Sequence, residues 1–552
     1  MTRLMLEETA AARNKLVPAG SHLGYSRIYL DVLAGCEPAA GFYATGNIGE
    51  AAEAVDRRRY DRETMAGILR KQNSLYNASA KTFVNIDKLL DQRTLCVIAG
   101  QQAGLFGGPL LTLIKALAVV KAADLYSRQL DRPVVPIFWI AGDDHDFEEA
   151  NHTFVLNRQG EPCRLTYGSA PEKELPTAQI KFSDSEELKR VREQLTDCLG
   201  QTDFTDRLFE MLDRSYTTSD TFVSAFGRFM AGITEETGLI FFSPGDPEAK
   251  RLAVPFLRQV VDLQVPMHDT LVARNREIEQ AGYHIQVEKR DDSTHLFYNL
   301  DGRRPISRND GVYSVGDETF SADQLKELID GYPERFSPDV MTRPVLQQYL
   351  LPVVSQKCGP AEIAYLAQLN PLFELFDLPA PYHKARATLT VVEARFEKQM
   401  EEHSIRLEEL ADDVEQVINR VLAETFPPEL EKDFGLLQRT IERQFRTFRQ
   451  EALAFDPQLE QFGKQIQGKI DYNLKAFEGK VFSSHKKKSQ EARDRIYRLF
   501  YALYTNRGFQ ERSLNITYFL ARYGSGFVPY LLERLDSEET GHQLISLSEY
   551  TS

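Results

Sequence analysis

The sequence predicts an α/β fold followed by a helical domain, and three observations support this prediction. First, residues 95–140 read as an apolar strand, a glycine-rich turn, a helix and a second apolar strand, which is the pattern of a βαβ unit. Second, the apolar run at 239–242 is also followed by a turn and a helical pattern. Third, long helical segments begin after about Thr390. Both strands of the βαβ unit are continuous apolar runs, which is typical of parallel strands covered by helices on both faces.

The length and charge of the chain exclude some classes of protein. At 552 residues it exceeds the roughly 250 to 300 residues of a single core, so several domains are expected. The 66 Lys and Arg residues and 81 Asp and Glu residues give a net charge of -15. This charge disfavours a protein that coats nucleic acid, because contacts with phosphates need a basic face. A hydrophobic content of 42% is enough for buried cores.

The cysteines and the apolar runs indicate where the protein works. The five cysteines are scattered and lack C-x-x-C spacing, so neither a disulfide framework nor a zinc knuckle is indicated. The first residues lack the apolar stretch of a signal peptide, and no apolar run approaches the roughly 18 residues of a membrane span. We therefore expect a cytoplasmic protein with neither a membrane nor a nucleic-acid partner.

Changes in the residue pattern along the chain predict its domains. Residues 1–385 are expected to form the α/β core, with insertions at about 151–235 and 284–330. The second insertion contains short alternating pieces around turn-like Asp-Gly pairs, which indicates antiparallel strands. Residues 386–505 are expected to form the helical domain. The last segment, 506–552, is rich in aromatic residues and is expected to dock on the core.

The helical domain carries a heptad pattern. Steps of three and four residues separate Phe396, Met400, His403, Leu407, Leu410, Val414, Val417 and Val421, which predicts one helix along this stretch. Phe426-Pro427-Pro428 and Asp456-Pro457 are expected to break the helices. An antiparallel hairpin or bundle is expected, and its apolar faces also suit the joining of two copies into a homodimer.

The glycine-rich turn after the first strand is the strongest local signal for a site. Its candidate binding residues are Gly100, Gln101, Gln102, Gly104, Gly107, Gly108 and Pro109. Glycines let a ligand approach the backbone, and a proline suits the first helical position, which leaves N–H groups pointing at an anion. The spacing matches neither G-x-G-x-x-G nor a Walker loop, so it indicates no particular nucleotide. The alternative is a tight turn whose glycines serve packing, with Lys115 in the helix facing solvent or a salt bridge.

A second polar cluster follows the second strand, and its members are Asp143, Asp144, His145 and Asp146. Carboxyl ends of parallel strands meet at one edge of a sheet, so this cluster and the glycine turn are expected at one ligand crevice. Carboxylates there could hold Mg²⁺ beside a phosphate or bind an ammonium group, and His145 could move a proton near neutral pH. The alternative is structural: Asp144 or Asp146 caps a helix, and Glu148 and Glu149 complement its dipole.

A third segment, Cys358–Gln368, places Gly-Pro at another helix start after the apolar LLPVV. A ligand-facing helix end and a purely structural one are equally consistent with it. Cys358 has no His or Asp neighbour in the sequence, which argues against a nucleophile. The basic run 485–488 is typical of a solvated helix end.

Together these segments resemble one known family. The resemblance is carried, in this order, by VIAGQQAGLFGGPLLTLIKAL, PIFWIAGDDHDFEEANH, FSPDVMTRPVLQQYLLPVV with CGPAEIAYLAQL, and QERSLNITYFL. They are similar to segments of the bacillithiol biosynthesis cysteine-adding enzymes, from about Gly67 to the end of the chain. The resemblance implies a Rossmann-like core, related to class I aminoacyl-tRNA synthetases and other nucleotidyltransferase folds. It also implies connecting-peptide insertions and a helical coiled-coil domain that dimerises.

The resemblance also implies an activity and the residues that carry it. The reaction joins the carboxylate of cysteine to the amine of glucosaminyl-malate. The catalytic motif of the family falls on Asp144, His145 and Asp146, and no metal ligand is assigned. Substrate or nucleotide contacts fall on the glycine turn and on Asp143, Gly359, Glu362, Tyr365 and Arg386.

Some positions depart from the family pattern. Asp143 stands where Glu is usual, Gly107 where Thr is usual, and Ala385 where Pro is usual. The first 60 residues match poorly, and the H-x-G-H and K-M-S-K-S signatures of the synthetases are absent. The catalytic roles of those signatures therefore do not transfer to this chain.

The implied chemistry sets what the site must bind. A carboxylate is a poor acyl electrophile, so amide formation in water needs activation, ordinarily by ATP. We therefore expect an ATP or ADP site, with room for Mg²⁺, beside sites for cysteine and glucosaminyl-malate. Two alternatives stay open: another small-molecule nucleotidyltransferase or ligase on the same fold, and a non-catalytic dimeric coiled-coil scaffold.

Overall fold

The computed structural model describes residues 14–20, 24–168, 171–288, 290–425 and 428–551. The chain forms two compact units. The first comprises the residues up to Glu397 together with those from Leu503 onward, and the second comprises Lys398–Ala502.

Strands and helices alternate through the first unit, and long helices form the second. In the described residues the strands are β1 (Lys15–Val17), β2 (Leu95–Gln101), β3 (Val134–Ile140), β4 (His152–Leu156), β5 (Pro162–Thr166), β6 (Ile240–Phe242), β7 (Ser293–Asn299), β8 (Arg303–Asn309), β9 (Val312–Val315), β10 (Glu318–Phe320), β11 (Phe336–Pro338), β12 (Val353–Cys358), β13 (Tyr382–Ala385), β14 (Thr388–Val392) and β15 (His542–Ser546). The α-helices of the same residues are α1 (Arg27–Leu33), α2 (Ile48–Asp56), α3 (Arg62–Leu75), α4 (Ala80–Lys88), α5 (Leu110–Leu130), α6 (Phe147–Ala150), α7 (Ser185–Leu199), α8 (Thr205–Ser215), α9 (Phe222–Ile233), α10 (Pro247–Asp262), α11 (Gln264–Gln280), α12 (Ala322–Gly331), α13 (Arg343–Leu350), α14 (Pro360–Leu369), α15 (Pro371–Leu375), α16 (Ala394–Glu402), α17 (Leu407–Thr425), α18 (Pro428–Phe455), α19 (Glu460–Lys488), α20 (Gln490–Leu503), α21 (Gln510–Ser513), α22 (Ile516–Tyr523) and α23 (Phe527–Arg534).

A five-stranded parallel sheet lies at the centre of the first unit, in the order β13-β12-β2-β3-β6. The helix α5 joins β2 to β3, as the apolar runs on either side of the glycine turn predict. Every residue of β3 is buried, including Phe138 and Trp139, because helices cover both faces of the sheet. The α/β class expected from the sequence is confirmed.

The strand order creates a crevice at one edge of this sheet. From β2 the chain moves to β3 and then β6 on one side, and later to β12 and β13 on the other. At such a switch point the connecting segments diverge, and ligands bind outside the carboxyl ends of the strands. The switch point of this sheet lies between β2 and β12, which pair directly.

A second sheet ties the end of the chain to the first unit. Its order is β1-β15-β14, with β14 parallel and β1 antiparallel to β15. The residue pattern groups 386–397 with the helical domain. In the structure these residues lie in the first unit and contain β14. Residues 503–552 belong to the same unit. The chain thus leaves the core for the helices and then returns to it.

Two β insertions extend the core. β4 and β5 form an antiparallel hairpin, and β7 to β11 form an antiparallel sheet in the order β10-β9-β8-β7-β11. The second insertion lies where the Asp-Gly turns predict antiparallel strands. β8 brings Arg303 from this insertion to the carboxyl edge of the central sheet.

The second unit consists of helices joined by short turns. α18 and α19 pack against each other across a 3-10 turn at Pro457–Leu459, so the break expected at Asp456-Pro457 is present. The single helix expected across 396–421 is wrong, because α16 ends at Glu402 and α17 begins at Leu407. Ser404 between them has a φ of 48°, and a left-handed residue cannot continue an α-helix.

Two expectations fall on parts of the chain that the structure leaves out. The break expected at Phe426-Pro427 lies outside the described residues, as do the side chains of the basic run 485–488. In the ranges that are described, no helix has both the length and the apolar content needed to cross a membrane.

A buried ion pair fastens the end of β13 to the C-terminal segment. Arg386 Nη2 donates to Glu511 Oε1 at 2.6 Å, and the two side chains are only 1% and 2% exposed. Burial alone would raise the pKa of Glu511, but the charge and hydrogen bonds of Arg386 outweigh it and lower that pKa. The pair therefore holds both charges in the interior.

We expect Glu511→Gln to lower the free energy of unfolding by about 3 to 5 kcal/mol, because it leaves Arg386 buried without its partner charge. The matched control is Glu460→Gln, since the pair of Glu460 with Lys464 is exposed and such pairs contribute less than about 1 kcal/mol. Chemical denaturation of both variants measures the difference. Equal losses would contradict the importance of the buried pair.

Candidate active site

A cavity of about 420 Å³ opens at the switch point, where β2, β3, β12 and β13 end. The structure brings to it many of the residues that the sequence singles out: Gly100, Gln101, Gln102, Asp144, Gly359, Glu362, Tyr365 and Arg386. These residues come from separate segments that only the parallel sheet places side by side. The cavity is therefore the candidate active site.

The cavity also contains residues that sequence reasoning did not assign to a site: Lys115, Trp139, Glu149, Arg343, Gln347, Gln356 and Arg512. For Lys115 a signal existed, because it lies four residues after Leu111 on α5 and such residues share a helix face. Arg343 and Gln347 have the same spacing on α13. No motif in the sequence indicates that α13 faces the glycine turn.

The glycine turn itself is divided between the cavity and the protein interior. Gly104, Gly107 and Gly108 are buried, and neither they nor Pro109 line the cavity. The amide of Leu110, at the start of α5, donates to the carbonyl of Leu514 at 2.8 Å. The C-terminal segment thus accepts the first amide of this helix, whereas the next residue, Leu111, lines the cavity, and an anion at these positions stays a prediction.

Asn515 holds the turn from the C-terminal side. Its Nδ2 donates to the carbonyl of Gly108 at 2.7 Å and to Thr153 Oγ1 at 2.8 Å, and the side chain is fully buried. A Cβ atom at Gly107 would lie 2.7 Å from the ring of Phe229. These glycines serve packing, which is the alternative that the sequence left open.

A buried lysine and a partly exposed glutamate connect the two βα units that flank the switch point. Lys115 Nζ donates to the carbonyl of Gly100 at 2.8 Å and lies 2.8 Å from Glu362 Oε2. The same carboxyl oxygen accepts a hydrogen bond from the amide of Gly359 at 2.7 Å. Burial would raise the pKa of Glu362, but the charge and hydrogen bond of Lys115 and the Gly359 amide lower it. Glu362 is therefore a carboxylate that shapes the cavity wall.

The acidic groups of the cavity surround Arg343. Its charge acts on Tyr365, Glu362 and Asp144, and it hydrogen-bonds the Tyr365 hydroxyl. Burial and the charge of Glu362 raise the pKa of Tyr365, so its hydroxyl keeps its proton. The guanidinium of Arg343 therefore supplies a fixed positive charge to the cavity wall.

Several buried polar atoms around the cavity have no hydrogen-bond partner within the described residues: Gln102 Oε1, Trp139 Nε1, Gln347 Oε1 and Arg386 Nε. An unpaired buried polar atom costs about 1 to 3 kcal/mol, so such atoms are uncommon in folded proteins. These four atoms are themselves covered from solvent, so they belong to the packed wall of the cavity.

The acidic members of the second polar cluster have three different surroundings. Asp143 forms a pair with the buried Lys250, whose Nζ donates to both carboxyl oxygens at 2.9 and 2.8 Å. Asp146 caps α6 by accepting the amide of Glu149 at 3.0 Å, as the structural alternative predicts. Only Asp144 lines the main cavity. Among these three carboxylates, Asp144 is the one placed to contact a ligand there.

His145 lies beside the cavity rather than in its wall. Arg303 Nη1 lies 2.9 Å from His145 Nδ1, and a guanidinium can only donate, so Nδ1 accepts and the ring proton is on Nε2. Arg303 is 7% exposed and stacks 3.6 Å over the ring of Phe297. Nε2 is thus the ring nitrogen that can donate to a ligand, and it lies 3.6 Å from Glu174 Oε2.

A second cavity of about 230 Å³ lies on the β6 side of Asp144. Arg303, Phe297 and Asp143 line it, and it shares Trp139, Asp144 and Arg343 with the main cavity. The two cavities therefore meet at one carboxylate and one guanidinium, which gives the site two adjacent compartments.

Glu149 lies at the mouth of the main cavity, where Gln101 Nε2 donates to it at 3.4 Å. Loss of water around its carboxyl group, followed by the charges of Asp146 and Asp144, raises its pKa. A carboxylate with a raised pKa is a better proton acceptor, so Glu149 suits a general base. In the described residues, no three His, Cys, Asp or Glu side chains are grouped as a metal site would require.

The fold and this site are those of an α/β protein with a charged, polar cavity at the carboxyl edge of a parallel sheet. Residues 24–387 match the family model described as Bacillithiol biosynthesis BshC, N-terminal Rossmann-like domain, and residues 389–547 match the C-terminal coiled-coil domain of the same family. The chain belongs to the bacillithiol biosynthesis BshC family. The family and the fold class predicted from the sequence are confirmed.

Similar proteins occur in distant bacteria. A protein of Koribacter versatilis is 29% identical over 514 residues, which cover 92% of this chain and 95% of that protein. Proteins of Salinibacter ruber and Bacillus cereus are each 29% identical, over 501 and 504 residues that cover 90% of this chain and 91% and 93% of those proteins. All three are named "Putative cysteine ligase BshC". The class of enzyme expected from the sequence, a ligase, agrees with these names.

We expect Gly107→Ala to destabilise the protein by about 2 kcal/mol or more, because the φ of +86° strains an L-residue and its Cβ meets Phe229. The control is Gly67→Ala, because Gly67 lies in α3 with no atom within 4 Å of a Cβ. Alanine there should stabilise by up to about 1 kcal/mol. Thermal unfolding of both variants tests whether Gly107 is needed for packing, and an unaffected Gly107→Ala would contradict this.

Proposed function

We propose that this chain is the ligase that joins the carboxylate of cysteine to the amine of glucosaminyl-malate, with ATP activating the carboxylate. The observation that carries the proposal is the cavity at the switch point. It combines the cations Lys115, Arg343 and Arg512 with the carboxylates of Asp144, Glu149 and Glu362. A site for a zwitterionic amino acid and an anionic activating group needs this combination. The names of the relatives support the choice of cysteine.

The charges of the cavity favour different roles for its basic and acidic residues. Arg343, Arg386 and Arg512 line the cavity, and Arg386 is also paired with Glu511. We assign these three to the anionic groups of the substrates, since guanidinium groups match carboxylate and phosphate geometry. ATP, when bound, supplies the activation that makes the cysteine carboxylate reactive toward an amine.

We assign the attacking amine to the carboxylates on the other strand end. Asp144 stands where the two compartments meet, so it can hold an ammonium group between them. Glu149, whose pKa is raised, can accept the proton that the amine loses on attack. His145 orients the site through its Nε2–H, and Arg303 keeps it in that tautomer. Mg²⁺, if used, would lie beside the phosphate groups and Asp144.

Two alternatives differ in what they predict. A nucleotidyltransferase with another acceptor would use the same cavity, whereas a non-catalytic scaffold would not need its charged residues. Isothermal titration calorimetry with ATP and ADP, with and without Mg²⁺, separates these classes. A complete lack of binding would favour the scaffold.

The decisive experiment is an assay of the purified chain with cysteine, glucosaminyl-malate, ATP and Mg²⁺. Fluorescent thiol labelling and mass spectrometry should detect a thiol with the mass of the amide product. Replacing glucosaminyl-malate by other amino sugars tests the acceptor. A parallel thiol profile of cells with and without the gene should lose the same compound, and an unchanged profile together with no product in vitro would overturn the proposal.

We expect Arg343→Ala to lower kcat/KM by about 100-fold to 1,000-fold, as for loss of one fixed donor to a developing charge. Arg251→Ala is the control, because Arg251 lies exposed on α10 away from the cavity lining. Thermal unfolding should show that both variants fold. Equal activities of the two variants would remove Arg343 from the site.

We also propose that two copies of the chain associate through the helical unit. Phe448, Phe455, Phe462 and Phe477 on α18 and α19 are between 61% and 90% exposed. Isolated exposed apolar residues are ordinary, but several large ones on adjacent helices are typical of an interface. Charged residues between them would keep the rest of each helix in water.

We expect Phe448→Ser combined with Phe477→Ser to shift the chain from dimer to monomer, because it removes apolar area from the interface. The control is Tyr472→Ser, since Tyr472 is 73% exposed on α19 but lies five residues before Phe477, and residues five apart do not share a helix face. Light scattering after size exclusion, over a range of concentrations, measures the mass. A monomeric wild-type chain would overturn the proposal.

A further inference from the structure

Two cysteines outside the candidate active site lie in direct contact. Cys198 Sγ donates to Cys163 Sγ at 2.7 Å, whereas non-bonded heavy atoms usually pack at about 3.5 to 4.0 Å. A disulfide needs about 2.05 Å. The two sulfur atoms therefore need to approach each other by only about 0.7 Å to bond.

Regular secondary structure holds this pair in place. Cys163 is on β5, opposite Val155 of β4, and Cys198 is in the last turn of α7. α7 packs against both strands of the hairpin, and its residues Val191 and Leu195 are fully buried. The contact is therefore part of the packed core of the insertion and does not depend on a loop.

The two thiols differ in their access to solvent. Cys163 is partly exposed, whereas Cys198 is buried at 9% exposure. Burial, followed by the hydrogen bond and charge of Cys163, raises the pKa of Cys198 to about 12. A reagent from solvent thus meets Cys163 first, and Cys198 is placed behind it to react second.

We propose that Cys163 and Cys198 are a redox modification site that reacts with a low-molecular-weight disulfide. The thiolate of Cys163 attacks one sulfur of the reagent, forms a mixed disulfide and releases one thiolate. Cys198 then loses its proton to water and attacks Cys163 Sγ, which expels the second thiolate. The protein loses two protons and two electrons in total, and the reagent takes up both and becomes two thiols. The site is independent of the proposed ligase activity.

The other three cysteines provide internal controls. Cys36 is exposed, and Cys96 and Cys358 are buried in β2 and β12. Within the described residues, no sulfur–sulfur contact joins any of them to another cysteine. A reagent that merely oxidises exposed thiols would therefore modify Cys36 and leave no internal crosslink.

The test is to incubate the full-length chain with 2-hydroxyethyl disulfide, quench with acid, alkylate in denaturant and map the peptides by mass spectrometry. We expect a crosslink between the Cys163 and Cys198 peptides with the loss of two hydrogens, while Cys96 and Cys358 stay alkylated. The midpoint of thermal unfolding should rise by several degrees and return on reduction with dithiothreitol, because the crosslink restricts the unfolded chain.

Two variants test the order of the steps. Cys198→Ser should accumulate the 2-hydroxyethyl adduct on Cys163, because the second attack is lost. Cys163→Ser should leave Cys198 free to be alkylated. The proposal is overturned if Cys163 and Cys198 of the wild type stay alkylated as fully as Cys96 while Cys36 carries the adduct, or if Cys198→Ser gains no adduct at Cys163.

Discussion

The ion pair between the buried Lys115 and Glu362 of the cavity wall is the interaction on which the site depends. Lys115 belongs to the helix after β2, and Glu362 to the helix after β12, so their contact joins the two βα units on either side of the switch point. Each partner also fixes a strand end, Lys115 through the Gly100 carbonyl and Glu362 through the Gly359 amide. Without the pair, Lys115 would be a buried charge with no partner, and the two helices would lose a contact that adds to the direct pairing of β2 with β12.

The end of the chain completes what this ion pair begins. Glu511 neutralises Arg386 beneath the cavity, Arg512 lines the cavity, and Asn515 holds the glycine turn in its packed form. The chain passes through the whole helical unit before it supplies these residues. The site therefore forms only when the C-terminal segment has returned, which couples folding of the core to residues at the far end of the sequence.

The site also shows how one guanidinium can define the role of a histidine. A histidine in an acidic cluster suggests proton transfer, but the buried Arg303 donates to its Nδ1 and leaves the other nitrogen protonated. The insertion that contains β8 thus contributes Arg303 to the second cavity of the candidate site. Glu149, which the sequence also suits to complementing the helix dipole, lies at the mouth of the cavity with a raised pKa.

The sequence by itself determined the class of fold, the order of strand, glycine turn and helix, and the edge of the sheet at which the site lies. Those features are local, because apolar runs, glycines and capping residues act over a few neighbours. Which residues of the glycine turn face the cavity, and that Arg343, Gln347 and Arg512 join it, was decided only by the tertiary structure. These contacts join segments hundreds of residues apart, and no local spacing records which segment the sheet places beside another. The helix break at 403–406 has the same cause, since a heptad pattern continues across a turn whose backbone the pattern does not describe.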